Sequence, residues 1–221
     1  MKLKKIASLM LAGVMAVSML AGCNTASDPE TEEPDVPAVP STSDAATILH
    51  DAMNGKAREM TSPVANSDLD AALKNAVDVY FQNDGYQGVS SDVAYKEVKK
   101  SNIADALVSA MNAKTYIISD LSKTDDGKTY YSENDKTTTV VQLYAVAASV
   151  SDAYALEQVA GQIEGSVGNL VEKSKDNEYS YAYTVSASIV TKPVTSVVAE
   201  GVTFGVKYIA VAVTQTPTKV V

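Results

Sequence analysis

Two residue types that carry much of protein chemistry occur once each in this 221-residue chain. The single cysteine is Cys23 and the single histidine is His50. A metal site built on paired histidines is therefore excluded, and a Ser-His-Asp triad would have to use His50. His50 follows the apolar pair Ile48 and Leu49, which predicts a solvated or core-edge side chain on a helix. No G-x-S-x-G, S-x-x-K or G-x-G-x-x-G pattern occurs.

The residues before Cys23 have the three-part order of a secretory signal. Residues 1–5 contain three lysines and no acid, and residues 6–20 contain no charge and are rich in Leu, Met, Val and Ala. Small residues then precede the cysteine. The apolar run is shorter than the roughly 20 residues that a transmembrane helix needs. We therefore predict a cleaved signal rather than a membrane span.

The sequence Leu20-Ala21-Gly22-Cys23 resembles the lipobox of bacterial lipoproteins at all four positions. The resemblance implies cleavage before Cys23 and a diacylglycerol on its sulfur, so that residues 1–22 are a lipoprotein signal peptide. Two acyl chains hold a protein stably on a membrane. The expected location is the cell membrane, on its extracytoplasmic side, with no thiol left for a disulfide or a nucleophile.

Residues 23–44 predict an acidic, proline-rich linker behind the lipid anchor. Four prolines and six acids face no basic residue in this segment. Such a composition cannot bury enough apolar surface to offset the entropy of ordering, and proline favours an extended backbone. We interpret the segment as a solvated spacer.

Residues 45–221 predict a single domain with an acidic surface. The 177 residues suffice for one core, and their 15 bases and 21 acids give a net charge of −6. This charge argues against nucleic acid and against direct docking on anionic lipid. The expected partners are the membrane, through the lipid, and a cell-wall polymer or an envelope protein.

The acidic loop 120–135 contains some of the residues that an EF-hand calcium site needs. With Gly127 at position 6 of an EF-hand loop, Asp126 and Glu133 would suit positions 5 and 12, but Ser122 and Thr124 cannot supply the carboxylates of positions 1 and 3. A hairpin turn at 125–127 accounts for the loop better. A loose Ca²⁺ site on Asp125, Asp126 and Glu133 is the minor hypothesis, and no other metal or cofactor is expected.

A row of tyrosines is the strongest candidate for a ligand-binding surface. Tyr179, Tyr181 and Tyr183 alternate along a predicted strand and offer flat faces with polar tips. The row continues into Val185 and Ile189, which instead favours packing beneath a helix. Binding of a glycan or peptide and packing in the core are both open at this point.

Apolar periodicity predicts an α+β domain in which an antiparallel sheet of about four strands packs against several helices. Gly161, Gly165 and Gly168 on the last predicted helix, 152–173, predict close packing of a sheet on its backbone. The last strand is apolar on both faces, which places it centrally in the sheet. The predicted helices cover 44–60, 67–83, 102–111 and 152–173, and the predicted strands cover 115–121, 128–132, 138–150, 178–192 and 202–216.

The order of these elements resembles a CAP (SCP-like) domain, an α-β-α sandwich of exported bacterial proteins. The residues from Ile48 through Met53-Asn54, Arg58 and Pro63 to Ala76 have the apolar cadence of its first two helices. The family's cavity uses two histidines and two glutamates, one histidine lying in a Ser-Pro-Gly-His segment. The corresponding residues here are 165–169, which contain neither proline nor histidine, so the resemblance implies a degenerate domain without the cavity chemistry.

These observations predict a membrane-anchored, non-catalytic module that binds an envelope component. The first alternative is a cell-envelope hydrolase that uses carboxylates whose convergence the sequence does not reveal. A purely structural assembly factor is the second. A pocket that brings two acids together would favour the hydrolase.

Overall fold

The computed structural model describes residues 42–84, 96–97, 101–113, 118–121, 124–125, 128–129, 135–174, 176–194 and 204–220. The predicted signal peptide and most of the linker, including Cys23, lie outside these residues. The stretch from Val39 to Val221 forms one compact unit.

The predicted first helix is two helices, α1 (Thr42–Ala52) and α2 (Gly55–Met60). The break falls at Asn54, which has an extended backbone and accepts a hydrogen bond from the Ala57 N–H through its side chain. Asparagine is a strong N-cap because its short side chain satisfies a donor that the helix leaves free. Gly55 therefore starts the second helix.

Three further helices agree with the predicted starts: α3 (Ser67–Asp84), α4 (Asn102–Ala110) and α5 (Asp152–Val167). The side chains of Asn66, Ser101 and Ser151 cap them by accepting backbone N–H groups. The α5 helix ends six residues before the predicted boundary at residue 173. There the Asn169 amide donates to the Gly165 carbonyl and so replaces the next helical bond.

The sheet consists of β1 (Thr61–Pro63), β2 (Lys96–Glu97), β5 (Thr138–Ala147), β6 (Tyr179–Val194) and β7 (Phe204–Lys219), with β3 (Thr124–Asp125) and β4 (Lys128–Thr129) forming a separate hairpin. Among the described residues its order is β1-β6-β7-β5-β2. The central position of β7 was predicted correctly. The antiparallel prediction holds for β6–β7, β7–β5 and β5–β2, whereas β1 pairs with β6 in parallel.

Helices cover both faces of the sheet, which gives the α-β-α layering. Face A, which carries Val140, Val185 and Val211, packs against α1 and α5. Face B, which carries Val141 and Leu143, packs against α3 and α4. Alternate side chains of a strand point to opposite faces, so a central strand that is buried on both faces must be apolar throughout. From Val206 to Val213 the sequence of β7 meets this condition except at Lys207.

The strand predicted at 115–121 was wrong in its described part. Ile118–Leu121 forms a 3₁₀ turn, and Ile118 and Leu121 are buried in the core on face A. Residues three apart align on one side of a 3₁₀ helix, so the two apolar residues of this turn both reach the core. Within the described residues, none of the helices combines the length and apolarity required to cross a bilayer.

Candidate functional site

The tyrosine row lies in the core on face A rather than on the surface. Tyr181 and Tyr183 are 8% and 3% exposed, and Tyr179 packs partly buried against the same core. The Tyr183 hydroxyl donates to the Val171 carbonyl at 2.7 Å and accepts from Gln215 Nε2 at 2.9 Å. Rings in this position cannot stack on a ligand while the core is closed. The burial thus favours the packing interpretation.

The proposed calcium ligands fall mostly outside the described residues. Asp125 lies on β3 and pairs in register with Lys128, whereas Asp126 and Glu133 lie outside the described residues. The β3–β4 pairing agrees with the predicted hairpin. In the described ranges, no group of three or more His, Cys, Asp or Glu side chains is placed to hold a metal ion.

His50 joins the end of α1 to the corner between α2 and β1. Its Nε2 lies 3.0 Å from the Thr61 carbonyl and 3.2 Å from the Arg58 carbonyl. Both partners are acceptors, so Nε2 carries the proton and donates. Nδ1 lies 3.3 Å from the exposed carboxylate of Asp51. The histidine therefore satisfies backbone carbonyls at a half-buried position, as the core-edge interpretation expects.

A polar junction connects α2 with α5 and is formed by Asn54, Lys56, Glu164 and Asn169. The Asn54 N–H donates to Glu164 Oε2 at 3.0 Å, and Lys56 Nζ donates to Asn169 Oδ1 at 3.4 Å. The Glu164 carboxylate thus holds a backbone donor that precedes the first turn of α2. This junction uses the carboxylate structurally.

The prediction that a sheet packs closely on the backbone of α5 at its three glycines was wrong at all three. Gly161 and Gly165 are exposed, and a Cβ at either residue would meet no atom within 4 Å. At Gly168 a Cβ would lie 3.1 Å from the Glu164 carbonyl and 3.5 Å from Lys56 Cδ, so the close neighbour is a lysine stem and not the sheet. The buried residues of α5 lie on the opposite side, including Leu156, Val159 and Ile163.

Lys207 is a buried cation that sequence reasoning missed. It is 5% exposed on β7, and its ammonium donates to the Val150 carbonyl and pairs with the Asp152 carboxylate. Burial of an unpaired charge is costly, so both partners are needed. Asp152 lies in the first turn of α5, where negative charge is favourable. The sequence did contain a signal for this site, because Lys207 alternates with the apolar residues Ile209 and Val211 on one face of the central strand.

At the edge of face B, the carboxylate of Asp78 on α3 pairs with two lysines. Its two oxygens lie 2.5 Å from Lys192 Nζ on β6 and 2.5 Å from Lys74 Nζ one turn earlier. The hydrogen bond from Lys192, followed by that from Lys74, lowers the pKa of Asp78 from 3.8 to about 2. The carboxylate is therefore ionised throughout the neutral range and links α3 to the sheet.

The polar side chains of Asn54, Glu164, His50, Lys207 and Asp78 are thus engaged in caps, ion pairs and bonds to the backbone. The candidate site of highest chemical specificity is the one that sequence analysis places at Cys23. Comparisons with known proteins give no significant match to a family model, to a curated protein or to a solved structure.

Proposed function

We propose that this chain is a bacterial lipoprotein whose folded domain is a non-catalytic module at the cell envelope. The lipid is attached to Cys23, residues 24–41 act as a solvated spacer up to the start of α1 at Thr42, and the domain binds a cell-wall polymer or an envelope protein. The observation that carries the proposal is Leu20-Ala21-Gly22-Cys23 placed directly behind a basic and then apolar segment. Because it is the chain's single cysteine, the sulfur has no partner for a disulfide within the chain.

The layering of the domain supports the proposed kinship with CAP domains. Helices cover both faces of the sheet, which is the layering of an α-β-α sandwich. The two longest strands, β6 and β7, follow α5, in the order that the resemblance implies. The segment that would carry the cavity histidine is Gly165–Asn169, where Asn169 instead donates to the helix backbone. The one histidine of the chain contacts the Thr61 and Arg58 carbonyls. These uses favour a degenerate, binding form of the domain.

The anchor is tested on the mature N-terminus. We expect the protein purified from bacterial membranes to begin at Cys23 with the mass of its lipid added. The Cys23→Ala variant should keep residues 1–22 and carry no lipid. A wild-type protein that starts elsewhere without lipid would contradict the proposal.

The module is tested with the full-length protein in detergent micelles and purified, insoluble cell-wall polymer. We expect the protein to sediment with the polymer and to release no soluble fragments from it. Sustained release of fragments would instead support the carboxylate hydrolase. Absence from the pellet, together with a protein partner captured from native membranes, would replace the polymer by an envelope protein as the ligand.

A further inference from the structure

One asparagine of the chain stands before a glycine. Of ten asparagines, Asn54 precedes Gly55, and the other nine precede residues with a side chain. An asparagine can lose ammonia when the backbone nitrogen of the next residue attacks its side-chain carbon. Glycine permits this attack most readily because no Cβ shields the nitrogen.

The structure leaves the reacting atoms accessible. Asn54 and Gly55 are both exposed, and no atom lies within 4 Å of the position that a Cβ on Gly55 would occupy. The Gly55 nitrogen is the first of α2, and the first N–H groups of a helix take no part in its hydrogen-bond ladder. The nucleophile is therefore not held by the helix.

A second cap in the same chain provides an internal comparison. Asn66 caps α3 and accepts the Leu69 N–H at 3.0 Å, as Asn54 accepts the Ala57 N–H at 3.0 Å. Asn66 is followed by Ser67, which has a Cβ. In addition, α2 has six residues and α3 has 18, so the first turn of α2 opens more easily.

From this geometry we infer that Asn54 is a site of spontaneous deamidation in the folded protein. The carboxamide leaves its bond with the Ala57 N–H, and the Gly55 nitrogen gives up its proton to solvent and attacks Cγ of Asn54. The Cγ–Nδ2 bond breaks, the departing nitrogen takes a proton from solvent and leaves as ammonia, and a succinimide remains. Water then opens the ring at either carbonyl, which gives aspartate or isoaspartate at position 54. The sequence of steps needs no oxidant and no enzyme.

Deamidation changes the junction between α2 and α5. Aspartate caps a helix as well as asparagine does, but it adds a negative charge to a residue whose backbone nitrogen lies 3.0 Å from Glu164 Oε2. The two carboxylates would repel each other. Isoaspartate places an extra carbon in the backbone and so displaces the cap of α2. The isoaspartyl form should therefore loosen this junction more than the aspartyl form does.

The experiment is peptide mapping of the full-length protein during incubation at mildly alkaline pH. We expect Asn54 to convert faster than Asn66 and every other asparagine, with isoaspartate among the products. The Gly55→Ala variant, whose added methyl group has open space, should lose the conversion at this site while keeping α2. As a control, the same chain is incubated unfolded in denaturant. Its conversion at Asn54 sets the incubation time over which the folded protein is compared. An Asn54 that stays intact over that time in the folded protein, or that converts equally in Gly55→Ala, would overturn the inference.

Discussion

The two parts of this chain use their reactive residues in different ways. In residues 1–44 the sequence itself carries the proposed chemistry, because an enzyme would recognise the order Leu20-Ala21-Gly22-Cys23. In the folded domain the described reactive groups are engaged by other parts of the fold. Lys207 pairs with Asp152, Glu164 holds a backbone N–H and His50 donates to backbone carbonyls.

The difference shows that a reactive residue type has a different meaning in the two settings. In the domain, a buried polar group without a partner costs about 1–3 kcal/mol, so folding selects positions where the group is satisfied. In a solvated linker, as we propose for residues 24–41, no such cost applies. Changes in the domain should therefore alter stability and leave lipidation unchanged.

The largest effect on stability is expected from Leu156→Ala. Leu156 is fully buried between α5 and face A, and truncation of a buried leucine costs about 2–5 kcal/mol. Val79→Ala, at a side chain 63% exposed on α3, is the matched control and should change stability little. Urea unfolding of both variants measures the difference. Equal midpoints would show that α5 does not pack on the sheet as described.

A smaller loss is expected from Lys207→Met, which keeps the apolar stem and removes the ammonium. The Val150 carbonyl loses a donor and Asp152 loses its partner, which should cost about 1–3 kcal/mol because Asp152 still reaches water. Lys192→Met removes a more exposed pair and should cost less than Lys207→Met does. If Lys207→Met is as stable as the wild type, the buried pair does not stabilise the fold.

A gain in stability is expected from Gly161→Ala and Gly165→Ala. Both sites are helical and open, so each change should stabilise the domain by about 0.5–1 kcal/mol. Gly168→Ala is the control. Its Cβ would lie 3.1 Å from the Glu164 carbonyl, so this variant should gain less stability. Thermal unfolding measures all three. Loss of stability at 161 or 165 would mean that the space beside this helix is occupied.

The smallest effect is expected from Asp78→Asn and depends on pH. Because the folded pKa of Asp78 is lowered to about 2 from 3.8, its ion pairs stabilise the fold above pH 4 and lose this contribution as the pH falls through about 2. The wild-type melting temperature should therefore exceed that of Asp78→Asn near neutral pH, and the two should converge near pH 2. High salt should reduce the difference. A gap that is unchanged between pH 7 and pH 2 would contradict the assignment.

The sequence predicted the elements with strong periodicity and clear caps. The α3 and α4 helices and the central position of β7 followed from apolar spacing, because each buries a continuous stripe or two faces. The break at Asn54 was missed because a cap inside an apolar pattern leaves the period unchanged. The parallel pairing of β1 was missed because three residues carry too little pattern.

The candidate sites differed in the same way, because those that depend on contacts between elements could not be predicted from one segment alone. The tyrosine row was readable as one face of a strand, but its burial depends on packing against α1 and α5, which the sequence of the strand does not reveal. The partners of Lys207 are Val150, just before α5, and Asp152, in its first turn, and they could not be inferred from β7 alone. The Cys23 site stays a prediction, and the sequence alone supplies it because the proposed recognition acts on consecutive residues.

The lipid on Cys23 is the central claim, and metabolic labelling with a palmitate analogue tests it most directly. The account predicts label on the wild-type protein, undiminished label on Lys207→Met, and none on Cys23→Ala. A wild-type protein without label, or label that persists in Cys23→Ala, would contradict it.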